Sequence, residues 1–91
     1  MRLTYVYILR SHKDGRWYTG YTQDLRMRIA QHDAGHTLST SSRGPWQLIY
    51  YEASIDPDDA RARERYLKSG MGKRYIKNRL KAFFERRTND L

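Results

Sequence analysis

The sequence predicts an α+β fold in which a three-stranded antiparallel sheet is flanked by three helices, in the order β-β-α-β-α-α. Two β-rich runs, over residues 3–10 and 17–21, are separated by an Asp14-Gly15 turn, which indicates a hairpin. A third β-rich run follows at 46–53, and the remaining segments have helical spacing. A three-stranded sheet cannot bury both of its faces alone, so the helices must cover it.

The first run is apolar at both odd and even positions, which is typical of a buried strand. In the return strand, Gly20 indicates a place where a larger residue would obstruct a neighbour. A helix is predicted over residues 24–34, where Thr22 or Asp24 can act as the cap and Gly35 as the stop.

The second half of the chain is predicted to be helical after the third strand. Asp56 and Pro57 are a strong helix start, and this helix is predicted to run to about Ser69. We expect a break at residues 70–72 and a last helix beyond it. The apolar stripe of that helix consists of Ile76, Leu80, Phe83 and Phe84.

The 91 residues predict one domain over 1–87 with a frayed tail at 88–91. The absence of cysteine excludes disulfides and thiolate metal sites and suits the cytoplasm, where we expect the protein. No apolar run approaches the roughly 18 residues of a membrane span, so no membrane association is predicted.

The chain has a net charge of +8, and residues 61–87 alone hold eleven Lys/Arg against two acids. Such a concentrated basic face favours a polyanionic partner, most often nucleic acid. A solvated helical surface is the alternative.

Glu64 lies on the inward stripe of its helix, between Ala60 and Leu67. A carboxylate on that face is costly unless it is paired or bound to a metal. Two interpretations therefore remain open for it, a salt bridge to a helix arginine and a ligand for a hard cation such as Mg²⁺.

Arg28 and His32 share the inward stripe of the first helix with Leu25 and Ile29. The anion that Arg28 needs could be Glu64 or a scissile phosphate. His32 could be a satisfied core residue, a general base or a phosphate contact.

Tyr7 and Tyr18 lie on adjacent strands, where aromatic packing is one interpretation. The other is a phenol that positions or deprotonates a water, if a nearby cation lowers its pKa. His32 and His36 have the spacing of a zinc pair, but Gly35 separates them and no third soft ligand is evident, so zinc is not predicted.

Four motifs in order resemble the GIY-YIG nuclease family: Tyr5-Val6-Tyr7, Tyr18-Thr19-Gly20, the helix signature Asp24-Leu25-x-x-Arg28-x-x-x-His32, and Ala60-x-x-x-Glu64-x-x-Leu67-Lys68. The resemblance covers residues 3 to about 82. It is closest to small stand-alone members similar to the N-terminal domain of the nuclease component of excinuclease ABC, and the segment 69–75 resembles a signature of that subgroup. Tyr5 and Thr19 replace the usual glycine and isoleucine of the two strand motifs.

The resemblance implies hydrolysis of DNA phosphodiesters with Mg²⁺ (or Mn²⁺), in repair or in processing of branched or damaged DNA, without a covalent enzyme intermediate. It implies that Tyr7 and Tyr18 flank the attacking water, with Tyr7 favoured as base. Arg28 would stabilise the transition state, with His32 beside it, and Glu64 would hold the metal. Asn78 would be an accessory residue.

Contacts to the nucleic-acid backbone are expected from six basic side chains: Arg26, Arg43, Lys68, Lys73, Arg74 and Lys77. Two other functions remain open, a non-catalytic nucleic-acid-binding module with the same fold and an interaction protein that docks an acidic partner. Because larger family nucleases gain specificity from attached domains, we also expect a protein partner or a homodimer.

Overall fold

A computed structural model describes residues 1–35 and 40–89, with side chains to residue 86. Its elements are β1 (Thr4–Ser11), β2 (Trp17–Thr22), α1 (Leu25–Asp33), β3 (Trp46–Ser54), α2 (Pro57–Lys68), α3 (Gly70–Arg79) and α4 (Lys81–Asn89). The predicted fold class is confirmed, with one helix more than expected.

The additional helix arises because the C-terminal helical segment divides at Leu80 into α3 and α4. The expected break between the two helices exists, but it lies at Ser69 rather than at residues 70–72, which form the first turn of α3. The Ser69 hydroxyl accepts a hydrogen bond from the backbone N–H of Gly72 (3.1 Å), and this cap outweighs the poor helix propensity of two glycines. Helix α4 runs to Asn89 and so includes two residues of the expected tail.

The sheet has the order β2-β1-β3, with both pairings antiparallel. β1 is therefore the central strand, and in its pairing with β2 Tyr7 lies opposite Gly20 and Ile8 opposite Thr19. The pairing with β3 shifts register between Ile8 and Leu9.

The two faces of β1 belong to different layers, as the all-apolar first run predicted. Val6 and Ile8 pack against the buried residues of α2 and α3, which are Ala60, Leu67 and Ile76. On the opposite face, Tyr7 and Leu9 pack against Trp46 and against half-buried side chains of β2, α1 and β3. The sheet is thus enclosed between α1 and the pair α2 and α3.

An ion pair that the sequence did not predict joins β3 to α2. The guanidinium of Arg63 donates two hydrogen bonds to the Glu52 carboxylate (2.9 and 2.8 Å), and the Tyr50 hydroxyl donates a third (3.1 Å). These contacts lower the pKa of Glu52, while burial and the same carboxylate raise the pKa of Tyr50 to about 12. Bidentate geometry of this kind fixes the helix against the sheet edge.

Across residues 1–35 and 40–89, no helix has the length and apolar character that crossing a membrane requires.

Candidate active site

Tyr7 lies fully buried in the middle of β1, and its hydroxyl is 2.8 Å from Nε2 of His32. Its partner across the hairpin is Gly20, where an added Cβ would come within 2.6 Å of the Tyr7 hydroxyl. Any side chain at position 20 would therefore displace this group. The predicted need for a small residue at Gly20 is confirmed, and the obstructed neighbour is the Tyr7 hydroxyl.

His32 is only 1% exposed and uses both of its ring nitrogens. Nε2 bonds to Tyr7, and Nδ1 lies 2.7 Å from the hydroxyl of Thr40. Burial, followed by the charge of Arg28, lowers the pKa of His32, so the ring is neutral near pH 7. A neutral ring donates from one nitrogen and accepts at the other, which links two hydroxyls in a hydrogen-bonded chain.

The aromatic ring of Tyr18 lies beside the hydrogen-bonded residues His32 and Tyr7. Its centroid is 4.8 Å from that of His32 and 6.3 Å from that of Tyr7. Trp46 closes the opposite side, 6.5 Å away in an edge-on arrangement. Tyr18 thus packs against aromatic neighbours, as one interpretation expected, and does so directly beside Tyr7 and His32.

Arg28 is half-buried on α1 one turn before His32. A side-chain hydrogen bond with the Tyr7 hydroxyl raises the pKa of Arg28, and its Nη1 donates to Gln31 (3.2 Å). No ion pair between Arg28 and Glu64 occurs in the part of the chain that the structure describes. The guanidinium is therefore held by neutral groups, which leaves its charge available to an anion.

Glu64 lies on α2, close enough for its charge to contribute to the raised pKa of Tyr7, and its side chain is 15% exposed. Its ion-pair partner is Lys68, one turn later on the same helix, at 3.4 Å. The partner is a lysine rather than the helix arginine that one of the two interpretations named, and it is itself 55% exposed. An exposed partner of this kind holds a carboxylate weakly, so Glu64 can exchange it for a cation.

The pKa of Tyr7 is raised above its usual 10.0, chiefly by burial. The hydrogen bond from Arg28 acts in the opposite direction, and the charges of Tyr18 and Glu64 add to the rise. The sequence hypothesis required a cation to lower this pKa. Arg28 is that cation, but burial outweighs it, so Tyr7 is a neutral phenol at neutral pH.

No three His, Cys, Asp or Glu side chains of residues 1–35 and 40–86 cluster as a metal site. Glu64 could therefore offer a cation one carboxylate, and His36 lies outside the described residues. One carboxylate with water and phosphate oxygens suits Mg²⁺, whereas zinc would need three or four protein ligands. The donor set therefore fits a hard cation that binds together with a phosphate.

Comparison with known proteins decides the family. The GIY-YIG catalytic domain model matches residues 3–79. The chain belongs to the GIY-YIG family. A UPF0213 protein of Clostridium perfringens is 42% identical over 67 residues, which cover 72% of this chain and 71% of the relative. A UPF0213 protein of Pediococcus acidilactici is 36% identical over 80 residues and 81% of each chain.

A solved GIY-YIG relative supports the same fold. The solution NMR structure of a UPF0213 protein from Bacillus halodurans is 39% identical, with a TM-score of 0.52 and 81% coverage of each chain. The family and the fold found by these comparisons therefore agree with the resemblance seen in the sequence motifs.

The GIY-YIG fold brings together the predicted residues Tyr7, Tyr18, Arg28 and His32 on the α1 side of the sheet. The other predicted residues are dispersed. One groove is lined by Arg43, Lys73 and Lys77, and a separate cavity of about 460 Å³ is lined by Arg26. Lys68 pairs with Glu64, and Arg74 and Asn78 are exposed on α3. Only the first group forms a cluster of side chains in mutual contact.

Thr40 is the site residue that sequence reasoning missed. Its hydroxyl bonds to His32, and its carbonyl accepts a hydrogen bond from the indole N–H of Trp46 (3.0 Å). Thr40 lies in a loop, where no periodicity marks a buried position. The signal available was indirect, since a buried histidine needs a polar partner at each nitrogen.

The neutral state of His32 predicts a pH dependence of stability. Because its folded pKa lies below the unfolded value of about 6.5, the unfolded chain binds the proton more readily. This contribution is complete above about pH 6.5 and is lost as the pH falls toward the folded pKa. We expect the urea midpoint of the wild type to decrease over that interval, and that of His32→Gln to decrease less. Parallel curves for the two proteins would contradict the assignment.

Proposed function

We propose that this protein is a metal-dependent endonuclease that hydrolyses DNA phosphodiesters. The observation that carries the proposal is the buried chain from Thr40 through His32 to Tyr7, with an unneutralised Arg28 beside it. A structural core has little need for two buried hydroxyls, a neutral imidazole and a guanidinium at one point. Family membership supports the same reaction class.

Tyr7 and His32 supply the proton transfer in this proposal. Tyr7 is too weakly acidic to act as a free phenolate. With the Nδ1–H of His32 donated to Thr40, however, Nε2 accepts the hydroxyl proton of Tyr7. Tyr7 then accepts a proton from the attacking water as it passes its own to His32, so that no phenolate has to accumulate.

Arg28 and Glu64 supply charge on the phosphate. The Arg28 guanidinium contacts the non-bridging oxygens, where negative charge increases in the transition state. Glu64 would hold Mg²⁺ or Mn²⁺ by one carboxylate in place of its contact with Lys68. When bound, the metal would neutralise the negative charge that develops on the leaving oxygen.

The substrate class in the proposal is branched or damaged DNA encountered in repair. Its support is the resemblance of the chain to the nuclease domain of the excision-repair enzyme and the +8 charge, which favours a polyanion without specifying sequence.

A second function is a non-catalytic nucleic-acid-binding module. Two observations favour it: the raised pKa of Tyr7, and a Glu64 carboxylate that already has a cationic partner. Such a module would bind DNA equally well with and without a divalent cation.

The test is incubation of the purified protein with plasmid and with branched DNA, in Mg²⁺ and in EDTA, beside Glu64→Gln. The proposal expects cleavage that requires the metal and disappears in the variant, because the amide cannot replace an anionic ligand. Binding without cleavage in any condition supports the binding module instead. Equal cleavage by both proteins would mean that Glu64 has no role in the reaction.

A further inference from the structure

A groove of about 630 Å³ opens beside the hairpin turn, away from the reaction centre. Its walls come from the ends of β1 and β2, from α3 and α4, and from the loop before β3. Five cationic side chains line it: Arg10, Arg16, Arg43, Lys73 and Lys77. Its volume is that of a site for a small organic ligand, although such sites are mostly apolar.

Among the residues whose side chains the structure describes, four of these cations have no carboxylate partner. None of the ion pairs in the described ranges includes Arg10, Arg16, Lys73 or Lys77. The carboxylate of Asp14 is near Arg16, which lowers its pKa, but it accepts the backbone N–H of Arg16 rather than a guanidinium. Arg10 is half-buried, so its guanidinium is partly shielded from water and can bind an anion in the groove more tightly than a fully exposed one.

Two aromatic rings accompany the charges. Trp17 and Phe84 line the groove and stack on each other, with centroids 5.7 Å apart and planes at 16°. Both are half-buried, so part of each side chain remains exposed where it lines the groove. A basic groove with aromatic side chains is the combination by which proteins hold single-stranded nucleic acid, because phosphates take the cations and sugars or bases pack on the rings.

The groove and the reaction centre lie on opposite faces of the sheet. Trp17 points to the α3 side, whereas the next residue, Tyr18, points to His32 on the α1 side. Arg43 links the two, since it lines the groove and lies over the Trp46 ring, 5.4 Å from its centroid. A strand that occupies both sites must bend from one face of the sheet to the other, which an unpaired strand can do and a stiff duplex cannot.

We propose that this groove is a second nucleic-acid site, which holds an unpaired segment of the strand next to the cleaved phosphodiester. The inference rests on the proposed function for the identity of the ligand. It adds the substrate feature, a single-stranded stretch beside the scissile bond, and assigns its phosphates to Arg10, Arg16, Lys73 and Lys77. Arg10 and Arg16 were not expected from the sequence.

The test is fluorescence anisotropy in EDTA with a labelled oligothymidine of about ten nucleotides, a length within the usual range for such grooves. Lys73→Gln with Lys77→Gln should weaken binding about tenfold and reduce the salt slope by about 1.4, since about 0.7 is lost per phosphate contact of a single strand. Both lysines are exposed, so the fold should be retained.

The matched control is Arg65→Gln with Arg79→Gln, which removes the same charge from exposed positions of α2 and α3 outside the groove. We expect it to weaken binding less than about threefold, because it removes only long-range attraction. With iodouracil in the oligonucleotide, ultraviolet cross-linking should label Trp17 or Phe84.

Equal weakening of oligonucleotide binding by the two double variants would contradict the proposal that the groove binds a single strand. Tighter binding of a duplex of the same length, or cross-links confined to the α1 face, would also contradict it. The result is independent of cleavage, because EDTA prevents it. If the protein binds the oligonucleotide in the groove but does not cleave plasmid, the second site is therefore supported and the proposed nuclease function is not.

Discussion

Replacement of Arg28 by glutamine is expected to slow DNA cleavage by roughly 10²–10³-fold, the usual cost of removing one transition-state charge donor. Arg28 holds the Tyr7 hydroxyl and has no carboxylate partner in the described ranges, so its charge is available to phosphate. The variant also removes the interaction that lowers the pKa of Tyr7. The measurement is the single-turnover rate on branched DNA with Mg²⁺, beside thermal unfolding to verify the fold.

Two variants of the same helix serve as controls. Arg28→Lys keeps the charge without the planar fork, so we expect a partial loss. Arg26→Gln removes an exposed charge two residues away that lines another cavity. As an expected backbone contact it should weaken DNA binding, but its single-turnover rate at saturating protein should remain within about threefold. A similar loss for Arg26→Gln and Arg28→Gln would show that α1 contributes only general attraction.

Replacement of Gly72 by alanine is expected to destabilise the fold by about 3 kcal/mol, at the upper end of the range for overpacking. An added Cβ would overlap the carbonyl oxygen of Tyr66 and lie within 2.5 Å of the Leu67 Cα. These are backbone atoms of α2 and cannot rotate away, so α3 would have to move. For a domain of this size the loss corresponds to a decrease in Tm of more than about 10 °C.

Gly70→Ala is the matched control for this prediction. Gly70 is exposed in the same first turn of α3, and no heavy atom lies within 4 Å of an added Cβ. The substitution should stabilise the protein by up to about 1 kcal/mol, because it reduces the entropy of the unfolded chain. If the two alanine variants unfolded at the same temperature, close helix packing at Gly72 would be excluded.

The sequence predicted those parts of the fold that depend on local spacing. Alternation and the turn at Asp14 predicted the β1–β2 hairpin, and the stripe of Ala60, Glu64 and Leu67 predicted the inward face of α2. Gly20 was predicted as a position without room for a side chain, which the Tyr7 hydroxyl explains. Each of these signals is contained in a short stretch of chain.

Other features depend on contacts that no local pattern contains. Thr40 reaches His32 from a loop, and Arg63 finds Glu52 across two elements. Gly70 and Gly72 suggested a break because glycine has a low helix propensity. Propensity does not include the cap from Ser69 or the close packing of Gly72 against α2, which favour the helix here. Arg10 and Arg16 were not recognised as binding residues, because the groove exists only when β1, α3 and α4 meet.

The position of β1 at the centre of the sheet has a consequence for how the molecule folds. Its hairpin with β2 closes a short loop, whereas its pairing with β3 must first close the segment 12–45, at a larger entropic cost. Pairing over that sequence separation is slow compared with helix formation. The nascent hairpin therefore exposes the apolar edge of β1 until β3 pairs with it. Thr40, which bonds to His32, and Trp46, which bonds to Thr40, reach their positions only in that late step.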